Sequence, residues 1–345
     1  MSPVLVLLLA SAVQGAARPA PEDPLRLVEA CVRSTDAPAR AAAAARIAAH
    51  PDCRPSRLRE WLHRGAPFEE LGPGPQEIVV DVGAGETRRV SLVLPRGYRP
   101  DRAWPLVYAL HPSGTAPEDW ARAVERMFGR RADEHVIASP EYRQNYIAAK
   151  PPFVAEHAAV LDAVFRRVHV DASRVHAFGY SRGGFGAWYV ALCHPDRLAG
   201  AIALAAGFDV APGDDGFWKL LVRNVAHVSV LNAWGEVDPL TIEDLTGKKV
   251  ESFAASNRRF AREVRSMGLP ITNLEVPSAA HHRLAPPGEA IREVLAARRP
   301  SDPARVDHTF RHLYQASAYW LEGLSWVGPS WGEAPPPAEP RPGET

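Results

Sequence analysis

Gly179-Tyr180-Ser181-Arg182-Gly183 sets a serine among small residues at the junction of two patterned segments. RVHAF before it reads as a strand, and GGFGAWYVALC after it reads as a helix. A serine on such a sharp strand-to-helix turn holds its hydroxyl exposed, and the turn demands small neighbours. Gly179, Gly183 and Gly184 supply them. A bare G-x-S-x-G arises by chance in roughly one such chain in ten, so the flanking strand and helix carry the reading. The competing reading makes Ser181 a simple helix N-cap packed among glycines.

A serine hydroxyl is a weak nucleophile at neutral pH. It needs a base, and the base needs an orienting carboxylate. Two downstream segments offer them. In NAWGEVDPL, Asp238 lies three residues after Gly235, just past a strand. Its competitors are Asp209, Glu236, Glu243 and Asp244. In VPSAAHHRL, His281 and His282 lie on the loop after the last strand. The short Ser-Ala-Ala lead-in brings His281 first to the strand mouth, and His282 is the alternative base. An acyl-transfer site also needs donors for an oxyanion. One is the backbone N–H of Arg182. The other comes from His111-Pro112-Ser113-Gly114, where Pro112 has no N–H, leaving Ser113 or Gly114. This chemistry requires no metal and no organic cofactor. His308 and His312 are four apart, but a third ligand is lacking, so a metal site is not expected there. His111, His157 and His176 sit in or beside buried elements and read as structural.

These residues must be positioned by a scaffold. QEIVVDV (76–82) and RRVSLVLP (88–95) flank a Gly-Ala-Gly turn and predict a hairpin. WPLVYALH (104–111) is a continuous apolar run, the mark of a strand buried on both faces. Further strands are expected at 136–140, 174–180, 199–207, 227–235 and 271–277. Between them helices are expected at 118–134, 153–168, 182–193 and 250–267, with a last one at 289–297. Repeated strand–helix units force a mostly parallel sheet, here of about eight strands, with helices on both faces.

The ends differ from this core. Residues 1–17 hold a short apolar run followed by small residues and read as a signal peptide, which implies a secreted or periplasmic protein. Residues 18–75 predict a helical appendage and linker. The catalytic domain is expected over 76–299, an aromatic helical extension over 300–331, and a disordered Pro-rich tail over 332–345. In an oxidising compartment Cys31 and Cys53 would be able to close a disulfide, whereas Cys193 sits in an apolar helical pattern and reads as a buried thiol.

The 345 residues carry 40 Lys+Arg and 40 Asp+Glu, so the net charge is zero. That argues against a nucleic-acid partner. A hydrophobic content of 46% excludes a wholly disordered chain. No membrane span is expected in the mature chain.

With LHPSG (110–114), AFGYSRGG (177–184), AWGEVDP (233–239) and SAAHH (278–282) in that order, the chain resembles the α/β-hydrolase superfamily. It looks most like secreted esterases of the polyhydroxybutyrate depolymerase and feruloyl esterase type, which grade into prolyl-oligopeptidase-like catalytic domains. The resemblance covers about 76–297 and departs from the usual His-Gly after the third strand. It implies Ser181 as nucleophile, Asp238 as acid and His281 as base, with Arg182 and Ser113 or Gly114 as the oxyanion hole. The implied substrate is a small-molecule or polymeric ester. A small-peptide hydrolase and a non-catalytic binding protein are the alternatives. Loops at 115–120, 142–152, 210–218 and 240–249 are the candidates for shaping a substrate pocket.

Overall fold

The structure is a computed structural model. It describes residues 22–34, 36–64, 68, 70–83, 85–142, 151–207, 221–243, 249–309, 318 and 319. The expected leader and Pro-rich tail lie outside the described residues, as does nearly all of the aromatic stretch after 309. So do residues 143–150, 208–220 and 244–248, and with them Asp209, Asp244 and His312.

Three helices come first among the described residues: α1 (Pro24–Arg33), α2 (Ala37–Ala48) and α3 (Pro55–Arg64). Asp23 and Asp36 start the first two, their carboxylates accepting from Leu25 N–H and Ala39 N–H. Each of these helices has a proline in its first turn, where its missing N–H costs nothing. Leu27, Val28, Ile47 and Trp61 form a small core of their own, flanked by Cys31 and Cys53. Both are free thiols, and Cys31 Sγ is turned toward the Arg40 carbonyl oxygen. The disulfide suggested by their spacing is therefore not formed.

Next come β1 (Gly74–Gly83), β2 (Glu86–Leu94) and β3 (Trp104–Leu110), then α4 (Pro117–Phe128), β4 (Val136–Pro140) and α5 (Pro151–Arg167). They are followed by β5 (Val170–Tyr180), α6 (Arg182–Cys193), β6 (Gly200–Leu204), β7 (Ser229–Gly235), β8 (Thr241–Glu243) and β9 (Lys249–Ser252). The last described elements are α7 (Phe253–Val264), β10 (Ile271–Val276) and α8 (Gly288–Ala296). Eight strands form one sheet in the order β1-β2-β4-β3-β5-β6-β7-β10, while β8 and β9 pair separately. From β4 to β10 all neighbours are parallel, and the β1–β2 hairpin joins antiparallel at one edge.

The alternation of side chains along each strand builds two cores. Leu106, Tyr108 and Leu110 of β3 pack with Leu161 of α5, Trp188 of α6 and Phe260 of α7. Val107 and Ala109 face the other way, toward Trp120 and Val124 of α4 and Leu295 of α8. Every residue of β3 is buried, as its unbroken apolar run requires. Full burial of one such leucine contributes about 2 kcal/mol.

Two helices are shorter than their periodicity suggested. α4 stops at Phe128 because Gly129 turns to φ 55, and residues 129–134 continue as a 3-10 turn. The segment expected to be helical from 250 begins as β9. Ser252 then caps α7, its hydroxyl accepting from Ala255 N–H at 3.1 Å. α7 ends at Val264, and Arg265–Met267 form a 3-10 turn. No helix among the described residues is long and apolar enough to cross a membrane.

Candidate active site

β5 runs straight into α6, and the junction is Ser181, at φ 54 and ψ −118. A positive φ is costly for any residue with a side chain and persists only where its surroundings enforce it. Here Ser181 N–H donates to Leu204 O at 2.8 Å, and its carbonyl accepts from Phe185 N–H at 3.2 Å. Those bonds hold the turn between β6 and the first turn of α6. The glycines around it are obligatory by packing. A Cβ on Gly179 would strike the Gly183 carbonyl, and one on Gly183 would strike the Leu110 carbonyl. A Cβ on Gly184 would sit 2.6 Å from Leu204 O. The glycine spacing seen in the sequence thus lets α6 start against the ends of β3 and β6.

His281 lies on a short 3-10 turn (His281–Arg283) after β10. Its Nε2 is 2.9 Å from Ser181 Oγ, and its Nδ1 is 2.7 Å from Asp238 Oδ2. The other Asp238 oxygen accepts from Leu240 N–H at 3.0 Å. His281 and Asp238 are both buried. Asp238 Oδ2 has only an N–H donor to accept from, so Nδ1 carries the proton and Nε2 faces the hydroxyl as an acceptor. His282 is exposed, its ring set edge-on to that of His281 with centroids 5.1 Å apart. Of the two histidines, His281 is the one that accepts the hydrogen bond of the Ser181 hydroxyl.

The loops that carry the pair are tied together. Glu236, a competitor for the carboxylate role, accepts from Ser278 N–H at 2.8 Å and so braces the histidine loop. Val237 N–H donates to Ala279 O at 3.1 Å. A Cβ on Gly235 would collide with that same Ala279 carbonyl, so this glycine lets the two loops cross closely. Glu243 lies on β8. One contact had no signal in the sequence. The hydroxyl of Tyr180, immediately before the serine, donates to the backbone oxygen of His281.

Beneath the site lies a buried amide network that sequence reasoning also missed. Asn232 of β7 bonds Asn257 of α7 at 2.9 Å and Asn273 of β10 at 3.1 Å, and accepts from Trp188 Nε1 at 3.2 Å. Asn257 in turn donates to Ala206 O at 2.6 Å. Three polar residues scattered over some forty positions give no local pattern, yet they fix α7 against the strands that end at the site.

The loop after β3 lies at the same end of the sheet. Ser113 and Gly114 are exposed, with Gly114 at φ 75, and Thr115 N–H donates to Pro112 O at 3.4 Å. His111 stacks on Tyr142 with centroids 4.0 Å apart, and the Tyr142 hydroxyl donates to His111 O. Burial holds His111 below the ordinary imidazole range, and the Arg182 cation pushes it the same way. His157 and His176, read as structural, are fully buried. No cluster of three or more His, Cys, Asp or Glu side chains suited to a metal ion occurs among the described residues.

No protein-family model matches the sequence. One curated relative is NocK of Nocardia uniformis subsp. tsuyamanensis, provisionally named an esterase. It is 29% identical over 184 residues, 48% of this chain and 48% of its own. The chain thus spans about half the length of the curated relative it matches. Among solved structures, a thermostable esterase superposes with a TM-score of 0.52 at 18% identity, over 65% of this chain and 63% of that one. A protein from Bacteroides ovatus, provisionally named dipeptidyl aminopeptidase IV, gives 0.50 at 12% identity over 65% and 35%. These likenesses agree with the strand order, and the fold is that of the α/β-hydrolases.

Proposed function

We propose that this α/β-hydrolase-fold protein is a serine hydrolase that cleaves a small-molecule carboxylic ester through an acyl-enzyme. The observation that carries the proposal is the unbroken chain Ser181 Oγ–His281 Nε2 at 2.9 Å and His281 Nδ1–Asp238 Oδ2 at 2.7 Å. The kinship with NocK supports the ester class.

His281 Nε2 takes the Ser181 proton as Oγ attacks the carbonyl carbon. The developing oxyanion is met by the Arg182 N–H and a donor from Ser113 or Gly114. Collapse of the tetrahedral intermediate breaks the C–O bond, and the imidazolium gives its proton to the departing alkoxide. Water, deprotonated by the same Nε2, then attacks the acyl carbon. The second collapse releases the carboxylic acid and returns the proton to Ser181. Asp238 holds the imidazole in the needed tautomer and stabilises its cation throughout. Export, from the apolar start of the sequence, is part of the same proposal.

Initial rates on a panel of p-nitrophenyl esters, feruloyl esters and aminoacyl p-nitroanilides test it, for the wild type and Ser181→Ala. Ester turnover that falls about 10³-fold or more in the variant is the expected result. Turnover of anilides alone would make the protein a peptidase. A folded wild type that neither turns over any compound nor reacts with a fluorophosphonate at Ser181 would leave only a binding role.

A further inference from the structure

On the face of the sheet that carries α4 and α8, behind His281, lies a cavity of about 390 Å3. That size suits a small organic ligand. Phe178 and Tyr180 of β5, Leu204 of β6 and Ile291 and Leu295 of α8 make its wall largely apolar. Two cations line it as well, Arg131 just after α4 and Arg292 on α8, and among the described residues no acidic one does.

The two arginines differ from others in the molecule. Arg96, Arg197 and Arg258 are each engaged by a carboxylate. Among the described residues, neither the Arg131 nor the Arg292 guanidinium has an ion-pair partner. Asp133, the acid nearest Arg131 in sequence, is held by Arg96 at 3.0 and 3.2 Å. Arg292 folds back over the start of α8, since a Cβ on Gly288 would lie 3.6 Å from its Nη1. Gly288 itself lines the cavity. An apolar chamber with two uncommitted guanidinium groups and no anion calls for a ligand with an apolar body and one negative end. Guanidinium groups pair with carboxylates through strong, directional hydrogen bonds.

We infer that this cavity binds an amphipathic monocarboxylate, its tail against Phe178, Ile291 and Leu295 and its carboxylate between Arg131 and Arg292. The site is separate from Ser181 but adjoins it, because Tyr180 is both a cavity wall and the donor to the His281 carbonyl. An occupant therefore leans on the residue that positions the histidine loop.

Isothermal titration calorimetry of the full chain carrying Ser181→Ala tests the inference without turnover. The probes are hexanoate, octanoate and decanoate, with 1-octanol as the uncharged control, each at two temperatures. The expected result is one site per chain with a negative heat-capacity change. Affinity should rise by up to about fourfold for each added methylene that the cavity encloses. Octanol should bind about tenfold more weakly than octanoate, and the exposed double change Arg131→Gln/Arg292→Gln should weaken octanoate by about tenfold without altering Tm. Ile291→Trp, which fills the chamber, should abolish binding. In the wild type, labelling Ser181 with a fluorophosphonate should leave octanoate binding intact. Absence of binding, octanol as tight as octanoate, full affinity in the double variant, or loss of binding on labelling each overturns the inference. Failure of the fluorophosphonate to label Ser181 would count against the hydrolase reading alone, because the calorimetry does not depend on it.

Discussion

Asp238 Oδ2 accepts from His281 Nδ1 at 2.7 Å, and both side chains are enclosed, at 0% and 4% exposure. Their hydrogen bond is shielded from water, so it governs the imidazole tautomer without competition. Asp238→Asn keeps the volume but offers an amide that can donate to Nδ1 and leave the proton on Nε2, facing Ser181. The expected outcome is a fall in kcat on esters of about 10³ to 10⁴-fold with Tm nearly unchanged. Steady-state kinetics and a thermal melt check it; a variant within tenfold of wild type would remove Asp238 from the mechanism.

Gly183 has no room for a methyl group, because the Leu110 carbonyl occupies the place of its Cβ. Gly183→Ala must push α6 away from β3 and is expected to destabilise by about 3 kcal/mol or more. Gly97→Ala is the contrast. Its Cβ would meet only the Trp104 ring at 3.9 Å, and it is expected to be neutral or stabilising by about 0.5 kcal/mol. Urea titrations of the two variants should separate clearly; equal midpoints would show that the elbow has slack.

Arg88 and Glu156 form a buried ion pair, at 2.9 Å with side chains 9% and 10% exposed, that pins α5 to β2. Arg88 also reaches Glu86 at 2.7 Å. Removing Arg88 takes the paired cation away from the buried Glu156. Arg88→Met is therefore expected to cost about 3 kcal/mol, Glu156→Leu less because Glu86 still pairs Arg88, and Arg88→Met/Glu156→Leu less than Arg88→Met alone. Chemical denaturation of the three variants measures this as a double-mutant cycle, and strict additivity would contradict it.

Burial pushes His157 down to about 3 and His176 to about 4. In the unfolded chain both would titrate near the ordinary imidazole value of about 6.5. Below that pH the unfolded state binds more protons than the folded one, so stability is lost on acidification. The window runs from about 6.5 down toward the folded values, at about 1.4 kcal/mol per pH unit for each histidine. Denaturation midpoints measured between pH 7 and pH 4.5 should fall, and His157→Gln should show a shallower slope from a lower starting stability. An unchanged slope in that variant would assign the acid sensitivity to other groups.

Much of this site was legible in the sequence because its residues announce themselves locally. The elbow needs three glycines at fixed spacing, and Asp238 and His281 each follow a strand that its own apolar run identifies. β3 was legible for the same reason, since an unbroken apolar stretch fits only a strand covered on both faces. What escaped is set by contacts distant in sequence. Tyr180 and His281 are 101 positions apart, and the Asn232, Asn257 and Asn273 amides meet only after β7, α7 and β10 have assembled. The short β9 was read as helix because KKVESF has ambiguous spacing, and only pairing with β8 decides it. Helix α4 was read six residues too long because Gly129 is one residue among good helix formers, and its φ of 55 is a backbone fact.

The strand order has a consequence for the time at which the site comes into being. Ser181 lies at the junction of β5 and α6 in the middle of the sheet, whereas His281 hangs from β10, an edge strand and the last of the described strands to be synthesised. A nascent chain that has emerged only as far as β7 already possesses every glycine contact of the elbow, but no imidazole to draw its proton. On the proposed mechanism the hydroxyl stays unactivated until β10 docks. Any cut between Asp238 and His281 that frees β10 would return the protein to that dormant condition with most of its core intact.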